Sequence, residues 1–324
     1  MSFRDICGHG KQIAQLQSSM TQNRIPHAFL FYGMEGIGKR TTALTFAKAL
    51  NCRGNNHDAC DACSSCRKAD HKNHIDIITI EAEGQFIKIQ TIRDLQGRMK
   101  FKPTEGKKRV CIIDDADRMN DAAANALLKT LEEPPLSNII ILVSGRPFQL
   151  PATILSRCQR IRFSPLAEEA VASFLQRRLS LEAQEAQLLA ASSGGSIARA
   201  LEMHSGSYLS RRQEMMGMIA DVRMQDPLMR LSRISLFGQD RDEILERLDI
   251  LRLCYRDALV YKETGKSDGL INQDRTDIIS SFAGRLPVKD IISNIKTIDR
   301  AIRALEQHAD KTLTLEVMMF RVSW

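Results

Sequence analysis

Apolar residues in the first half of the chain fall in short runs separated by amphipathic stretches. In the second half they recur at helical intervals. Ala28-Phe29-Leu30-Phe31-Tyr32, Ile77-Ile78-Thr79-Ile80, Val110-Cys111-Ile112-Ile113 and Ile139 to Val143 have the length and composition of strands covered on both faces. Lys39 to Leu50, Ile87 to Met99 and Ala122 to Glu133 read as the helices between them. Pro134-Pro135 ends the last of these, because proline cannot continue a helix. The alternation predicts an α/β domain, a parallel sheet with helices on both faces. Strand signals fade after Phe163, and Ser164-Pro165 marks a boundary. Leu166 to about Ser205 reads as a small helical domain, broken at Ser192-Ser193-Gly194-Gly195. Beyond it, Ile244, Leu248, Leu251, Tyr255 and Ala258 keep helical spacing. Val288, Ile291, Ile292, Ile295, Ile298, Ile302 and Leu305 do the same after Pro287. Such stripes are expected to be core. The expected domains are residues 1–163, 164–205 and 206–324.

Bulk properties narrow the class. With 324 residues, 43% hydrophobic and 26% charged, the chain reads as globular with two or three domains. Met1 to Gln12 lacks an apolar export segment, and no apolar run approaches the ~20 residues that span a bilayer. A net charge of +7 permits an acidic partner such as nucleic acid, and fits a mildly basic protein equally well. Arg98, Lys100, Lys102, Lys107, Lys108 and Arg109 form a basic cluster opposed only by Glu105. It could meet a phosphate backbone or be a solvated loop.

Four of the eight cysteines, Cys52, Cys60, Cys63 and Cys66, lie close together. In a chain without an export signal this favours metal over disulfides, and a reducing, cytoplasmic location. Four thiolates with x2 spacings suit tetrahedral zinc in a structural role, as no ligand position is left open. The alternatives are unliganded thiols and an iron–sulfur cluster, for which the following x3-Cys-Pro is missing.

Gly33-Met34-Glu35-Gly36-Ile37-Gly38-Lys39-Arg40-Thr41 follows a strand and opens a helix. Glycines let the backbone wrap a phosphate chain, helix-terminal N–H groups bind the anion and the lysine adds charge. A phosphate loop needs Ser or Thr after the lysine to bind magnesium, and here that residue is Arg40. Thr41 is rotated by roughly 100° and cannot simply replace it. Asp114, at the end of the third strand, would hold the magnesium-bound water. The strand end resembles that of AAA+ ATPases, a resemblance that implies a longer catalytic carboxylate where Asp115 stands, and misplacing that base could cost about a hundredfold in rate. Efficient hydrolysis of Mg-ATP is therefore doubtful for this site.

These motifs, with Ile25 to Phe31, the cysteine insert, Asp114 to Met119, Ala124 to Pro135 and Leu155-Ser156-Arg157-Cys158-Gln159, resemble the clamp-loader branch of the AAA+ ATPases. The likeness is to the delta-prime type of bacterial DNA polymerase III in particular. The resemblance implies a RecA-like AAA+ domain with a zinc module at about 52–66, a helical lid and an all-α collar. It also implies a hetero-pentameric ring with gamma/tau-type and delta subunits, which opens a sliding clamp and places it on primed DNA. Arg157 would be an arginine finger acting on a neighbour's ATP. Ala198 occupies the position of a motor subunit's sensor arginine, and Ser144 the sensor position after the fourth strand. These departures favour a largely stationary subunit. The alternatives are a gamma-type ATPase motor of the same loader and an unrelated zinc-binding DNA repair factor, against which the Leu-Glu-Glu-Pro-Pro and Ser-Arg-Cys segments argue. Any DNA-polymerase label would come from membership of the holoenzyme.

Overall fold

The computed structural model describes residues 1–54, 57–134 and 137–324. They form two compact units, Met1–Ala186 with Ser193–Arg199, and Gln187–Ser192 with Ala200–Trp324.

The first unit is built on five strands: β1 (Ala28–Tyr32), β2 (Ile77–Ile80), β3 (Arg109–Ile113), β4 (Asn138–Ser144) and β5 (Gln159–Arg162). All pair in parallel, in the order β2-β3-β4-β1-β5. The four runs expected as strands are strands. β5 was not expected, and its sequence explains why: of Gln159-Arg160-Ile161-Arg162 only Ile161 is buried.

Nine helices lie wholly or partly in this unit among the described residues: α1 (Gly10–Thr21), α2 (Lys39–Asn51), α3 (Ser64–Asp70), α4 (Ile89–Met99), α5 (Asp121–Glu132), α6 (Ala152–Leu155), α7 (Glu168–Leu179), α8 (Ala183–Ser193) and α9 (Ile197–Ser205). The Asn120 side chain caps α5 by accepting from the Ala123 N–H at 2.8 Å. Pro134 follows the end of α5, and Pro135 lies outside the described residues. Alternate strand residues face opposite layers. Ala28, Leu30, Cys111, Ile113, Ile140 and Leu142 pack with Ile92, Leu95, Leu127 and Leu131 of α4 and α5. Phe29, Phe31, Val110, Ile112, Ile141 and Val143 pack on the other face with Leu16 of α1 and Phe46 of α2. Because every strand runs the same way, their carboxyl ends share one edge, where open α/β sheets bind ligands.

A buried carboxylate ties the loop before β3 to the sheet. Asp76 is fully buried and accepts from the N–H groups of Thr104, Glu105 and Gly106, and from Arg109 at 2.8 Å. Burial alone would raise its pKa, but those donors hold it down at about 2.

The second unit is helical: α10 (Tyr208–Ala220), α11 (Pro227–Ser232), α12 (Arg241–Thr264), α13 (Thr276–Arg285), α14 (Val288–Glu306) and α15 (Lys311–Arg321). On α12, Ile244, Leu248, Leu251, Tyr255 and Ala258 are all buried. On α14 the buried seam is Ile291, Asn294, Ile298, Ala301 and Leu305, whereas Ile292 is exposed. Tyr255 donates to the Ser323 carbonyl at 2.8 Å, and its ring meets Trp324 edge-on. Leu313, Val317 and Phe320, at i, i+4 and i+7 on α15, are exposed at 62%, 42% and 55%. No helix among the described residues is long and apolar enough to cross a membrane.

Candidate functional site

β1 leads directly into the glycine loop. Gly33, Gly36 and Gly38 have φ of 147°, 75° and 102°, a region that glycine enters without steric cost. Space is also short at two of them. A Cβ on Gly33 would lie 2.2 Å from the Phe163 carbonyl oxygen, and one on Gly36 would lie 2.2 Å from Ser196 Oγ. The N–H groups of Met34 to Gly38 donate no hydrogen bond within the described residues. Buried Lys39 turns back into the loop, donating to the carbonyls of Gly33 at 2.7 Å and Met34 at 2.6 Å. Burial lowers the Lys39 pKa, against the opposing pull of Glu35, Asp114, Asp115 and Asp117. His9, which no motif singles out, also braces the loop. Its Nε2 lies 2.7 Å from the Ile37 carbonyl oxygen, and its ring meets Phe163 edge-on.

Arg40 follows Lys39 on α2 and reaches the end of β3. Its Nη1 is 3.2 Å from Asp114 Oδ2, and its Nη2 is bonded to Glu81 just after β2. The Asp114 pKa is raised, mainly by burial, with Arg40 opposing the rise and Asp115 adding to it. Thr41 is half-buried, and its hydroxyl makes no hydrogen bond within the described residues. Asp115 has a left-handed backbone, φ 46°, and a half-exposed side chain 3.8 Å from Arg118. At the end of β4 the Ser144 hydroxyl is committed to Asp117 and accepts from the Arg146 N–H at 3.0 Å. Ala198 donates its N–H to the Gly36 carbonyl at 3.1 Å and sets its methyl against that glycine. Gly33, Gly36, Gly38, Lys39, Arg40, Asp114 and Asp115 are thus gathered at the carboxyl edge of the sheet. The contribution of Glu81 could not be read locally, because it comes from a distant strand.

Arg157 follows α6. Its Nη2 pairs with Glu132 at 2.7 Å and its Nη1 donates to the Thr153 carbonyl at 2.9 Å. The guanidinium remains about one-third exposed.

The four clustered cysteines converge. The sulfurs of Cys52, Cys60, Cys63 and Cys66 all lie within 4.8 Å of one another. Cys52 ends α2, Cys63 caps α3 by accepting from the Cys66 N–H at 3.4 Å, and Cys66 sits inside α3. Four zinc–sulfur bonds of about 2.3 Å in a tetrahedron space the sulfurs about 3.8 Å apart, and Cys60 and Cys66 are 4.0 Å apart. The donor set therefore fits such an ion. Burial pushes the Cys66 and Cys52 thiols up. The Cys63 thiol is depressed to about 6, because N–H donors from Arg53 and Cys66 outweigh its burial. Buried Lys48 clamps the insert to α2 through Asp61 and Asp70. Lys107 donates to the Cys52 carbonyl at 2.8 Å.

The basic cluster is partly consumed inside the fold. Arg109 is buried against Asp76, and Glu105 is paired with Lys68 rather than with the cluster.

Comparison with known proteins decides the family. A protein-family profile described as "DNA polymerase III, delta subunit" matches residues 8–167, and "DNA polymerase III, delta subunit, C terminal" matches residues 208–323. The DNA polymerase III subunit delta' of Bacillus subtilis is 30% identical over 91% of this chain and 90% of its own length. The chain belongs to the delta-prime family of DNA polymerase III subunits. Tau and tau/gamma relatives are matched over less of their own length. The tau subunit of Bacillus subtilis is 27% identical over 99% of this chain, which spans 61% of it. The tau/gamma subunit of Haemophilus influenzae is 37% identical over 56% of this chain and 26% of its own length. A gamma subunit-related protein of Thermotoga maritima has a TM-score of 0.50 at 17% identity, covering 95% of this chain and 97% of its own. That likeness shows a shared fold, here a five-stranded parallel sheet followed by a helical region.

Proposed function

We propose that this chain is a clamp-loader ring subunit that serves a neighbour's ATP site while its own site does not hydrolyse ATP. The observation that carries this reading is the ion pair of Arg40 with Asp114. A guanidinium occupies the partner position of the carboxylate that a motor subunit keeps for the magnesium shell. Ser144 is held by Asp117, and Ala198 offers a methyl where a motor subunit presents a sensor arginine. Each departure removes a group that would touch the γ-phosphate or its metal. Arg157 retains the exposure and chemistry of a finger, and a trans arginine can contribute about 10³–10⁵ in rate to a comparable site.

The division of labour follows from these residues. The parallel sheet and glycine loop hold the AAA+ shape that neighbouring subunits dock against. Residues 164–205 serve as the lid and 206–324 as the collar. The exposed Leu313, Val317 and Phe320 stripe supports a collar that packs against gamma/tau-type and delta neighbours. Cys52, Cys60, Cys63 and Cys66 hold a structural zinc, whose binding energy folds an insert with little core of its own. The assembled ring acts on the sliding clamp and primer-template DNA, in the cytoplasm. The test is turnover: the isolated chain is expected to hydrolyse ATP negligibly, and a ring containing it briskly. Brisk, Lys39-dependent turnover by the chain alone would instead favour a gamma-type motor.

A further inference from the structure

Magnesium does not fit this chain's phosphate loop. In such loops the metal is held by the hydroxyl that follows the lysine and by the carboxylate ending the adjacent strand. Here the hydroxyl is replaced by Arg40, whose guanidinium lies 3.2 Å from Asp114 and also bonds Glu81. A divalent ion would have to displace a fixed cation and then sit beside it, a like-charge contact in a partly desolvated site. The phosphate-binding half of the loop is nevertheless intact. Three glycines hold left-handed conformations, Lys39 is buried behind them, and the N–H groups of Met34 to Gly38 are uncommitted among the described residues.

We propose that this loop binds the di- or triphosphate of a nucleotide as the metal-free anion, with Arg40 supplying the charge that a divalent cation supplies elsewhere. The inference rests on reading Gly33 to Thr41 as a phosphate loop. Arginine stays protonated at any relevant pH and offers five N–H donors in a planar fork. Two of its nitrogens face Glu81 and Asp114, which leaves other donors of the same fork for phosphate oxygens. The carboxylates hold the guanidinium at the loop, so little side-chain entropy is lost when the anion arrives. Lys39 exchanges its bonds to the Gly33 and Met34 carbonyls for the phosphate. A nucleotide held in this way lacks the metal needed for phosphoryl transfer, and so acts as a structural ligand.

Calorimetric titration of ADP into the full chain, once in excess chelator and once in magnesium, tests the proposal. The expected result is binding in both buffers with Kd equal within about twofold. Lys39→Ala should abolish binding in both. Arg40→Thr should weaken chelator-buffer binding by about tenfold or more and make the remainder magnesium-enhanced, while Arg40→Lys should stay magnesium-independent. Thermal melts of each variant guard against misfolding. ADP that binds wild type only with magnesium would overturn the metal-free reading and leave the phosphate-loop reading standing. No binding in either buffer would overturn both.

Discussion

Arg157 Nη2 lies 2.7 Å from Glu132 Oε1, so the arginine proposed to act on a neighbour's nucleotide is paired within its own chain. Both side chains are at least one-third exposed, and such pairs contribute only about 0–1 kcal/mol. The pair can therefore orient the arginine and release it to a phosphate at small cost. Arg157→Ala should leave the melting temperature nearly unchanged and preserve ring assembly. It should lower ATP hydrolysis at the neighbouring site by about 10³-fold or more. Lysine should rescue poorly, since it lacks the planar fork. Thermal melts and turnover of rings reconstituted with mutant chain and wild-type motor subunits separate the two effects. A clear loss of stability with normal turnover would mean that the ion pair with Glu132 is the residue's whole purpose.

The cysteine cluster predicts about one zinc per chain by elemental analysis. Cys66→Ser removes a buried ligand and should lose the metal, with a drop in melting temperature and protease cleavage within residues 52–66. Cys254→Ser, buried in the helical unit, should retain the full zinc content. Iron with visible absorbance, or equal metal loss in both variants, would contradict the assignment.

Restoring one residue should not restore the motor. Arg40→Thr frees Asp114 but leaves Asp115, Ala198 and the Ser144–Asp117 bond in place. Its ATP turnover should stay at least about a hundredfold below that of an active subunit, the cost of a misplaced base alone. A steady-state assay showing full activity in the single variant would refute the view that the site has several defects.

Asp76 predicts acid sensitivity. Its folded pKa, about 2, lies below the ordinary carboxylate value. A depressed carboxyl stabilises the fold fully above its unfolded pKa, and that contribution is lost as pH falls through the folded one. Asp76→Asn should destabilise the first unit at neutral pH by about 3–5 kcal/mol, as expected when a buried pair loses one partner. The gap to wild type in urea-melt midpoints should hold above about pH 4 and narrow toward pH 2. A gap independent of pH would show that packing, not charge, is at stake.

Much of this was legible in the chain. The four central strands announce themselves because burial on both faces demands unbroken apolar runs, as in Val110 to Ile113. The glycine loop and the cysteine cluster are local in sequence, so spacing alone indicates their chemistry. What stayed hidden depends on distant partners. β5 buries only Ile161, so it has no strand signature of its own and is recruited by β1. Glu81 meets Arg40, Glu132 meets Arg157 and Asp76 meets Arg109 across gaps that no periodicity spans. The basic cluster stays ambiguous in sequence for the same reason, because its one buried member, Arg109, belongs to the interior.

The strand order also governs how the molecule must be made. β1 leaves the ribosome well before its partners, since Ala28 finds its neighbour at Ile140 and Phe29 its other neighbour at Gln159. Until then Phe29, Leu30 and Phe31 form a sticky ribbon with both edges open, the kind of segment that pairs with the wrong chain. Long-range parallel pairing is intrinsically slow. We therefore expect nascent chains shorter than about β4 to require chaperone protection, and refolding yields in dilute buffer to fall steeply with protein concentration. Spontaneous, concentration-independent refolding of a fragment ending before Asn138 would disprove this. The last apolar strand to appear, β4, is thus the keystone: it joins β3 to β1 and brings Asp114 beside the glycine loop in one act.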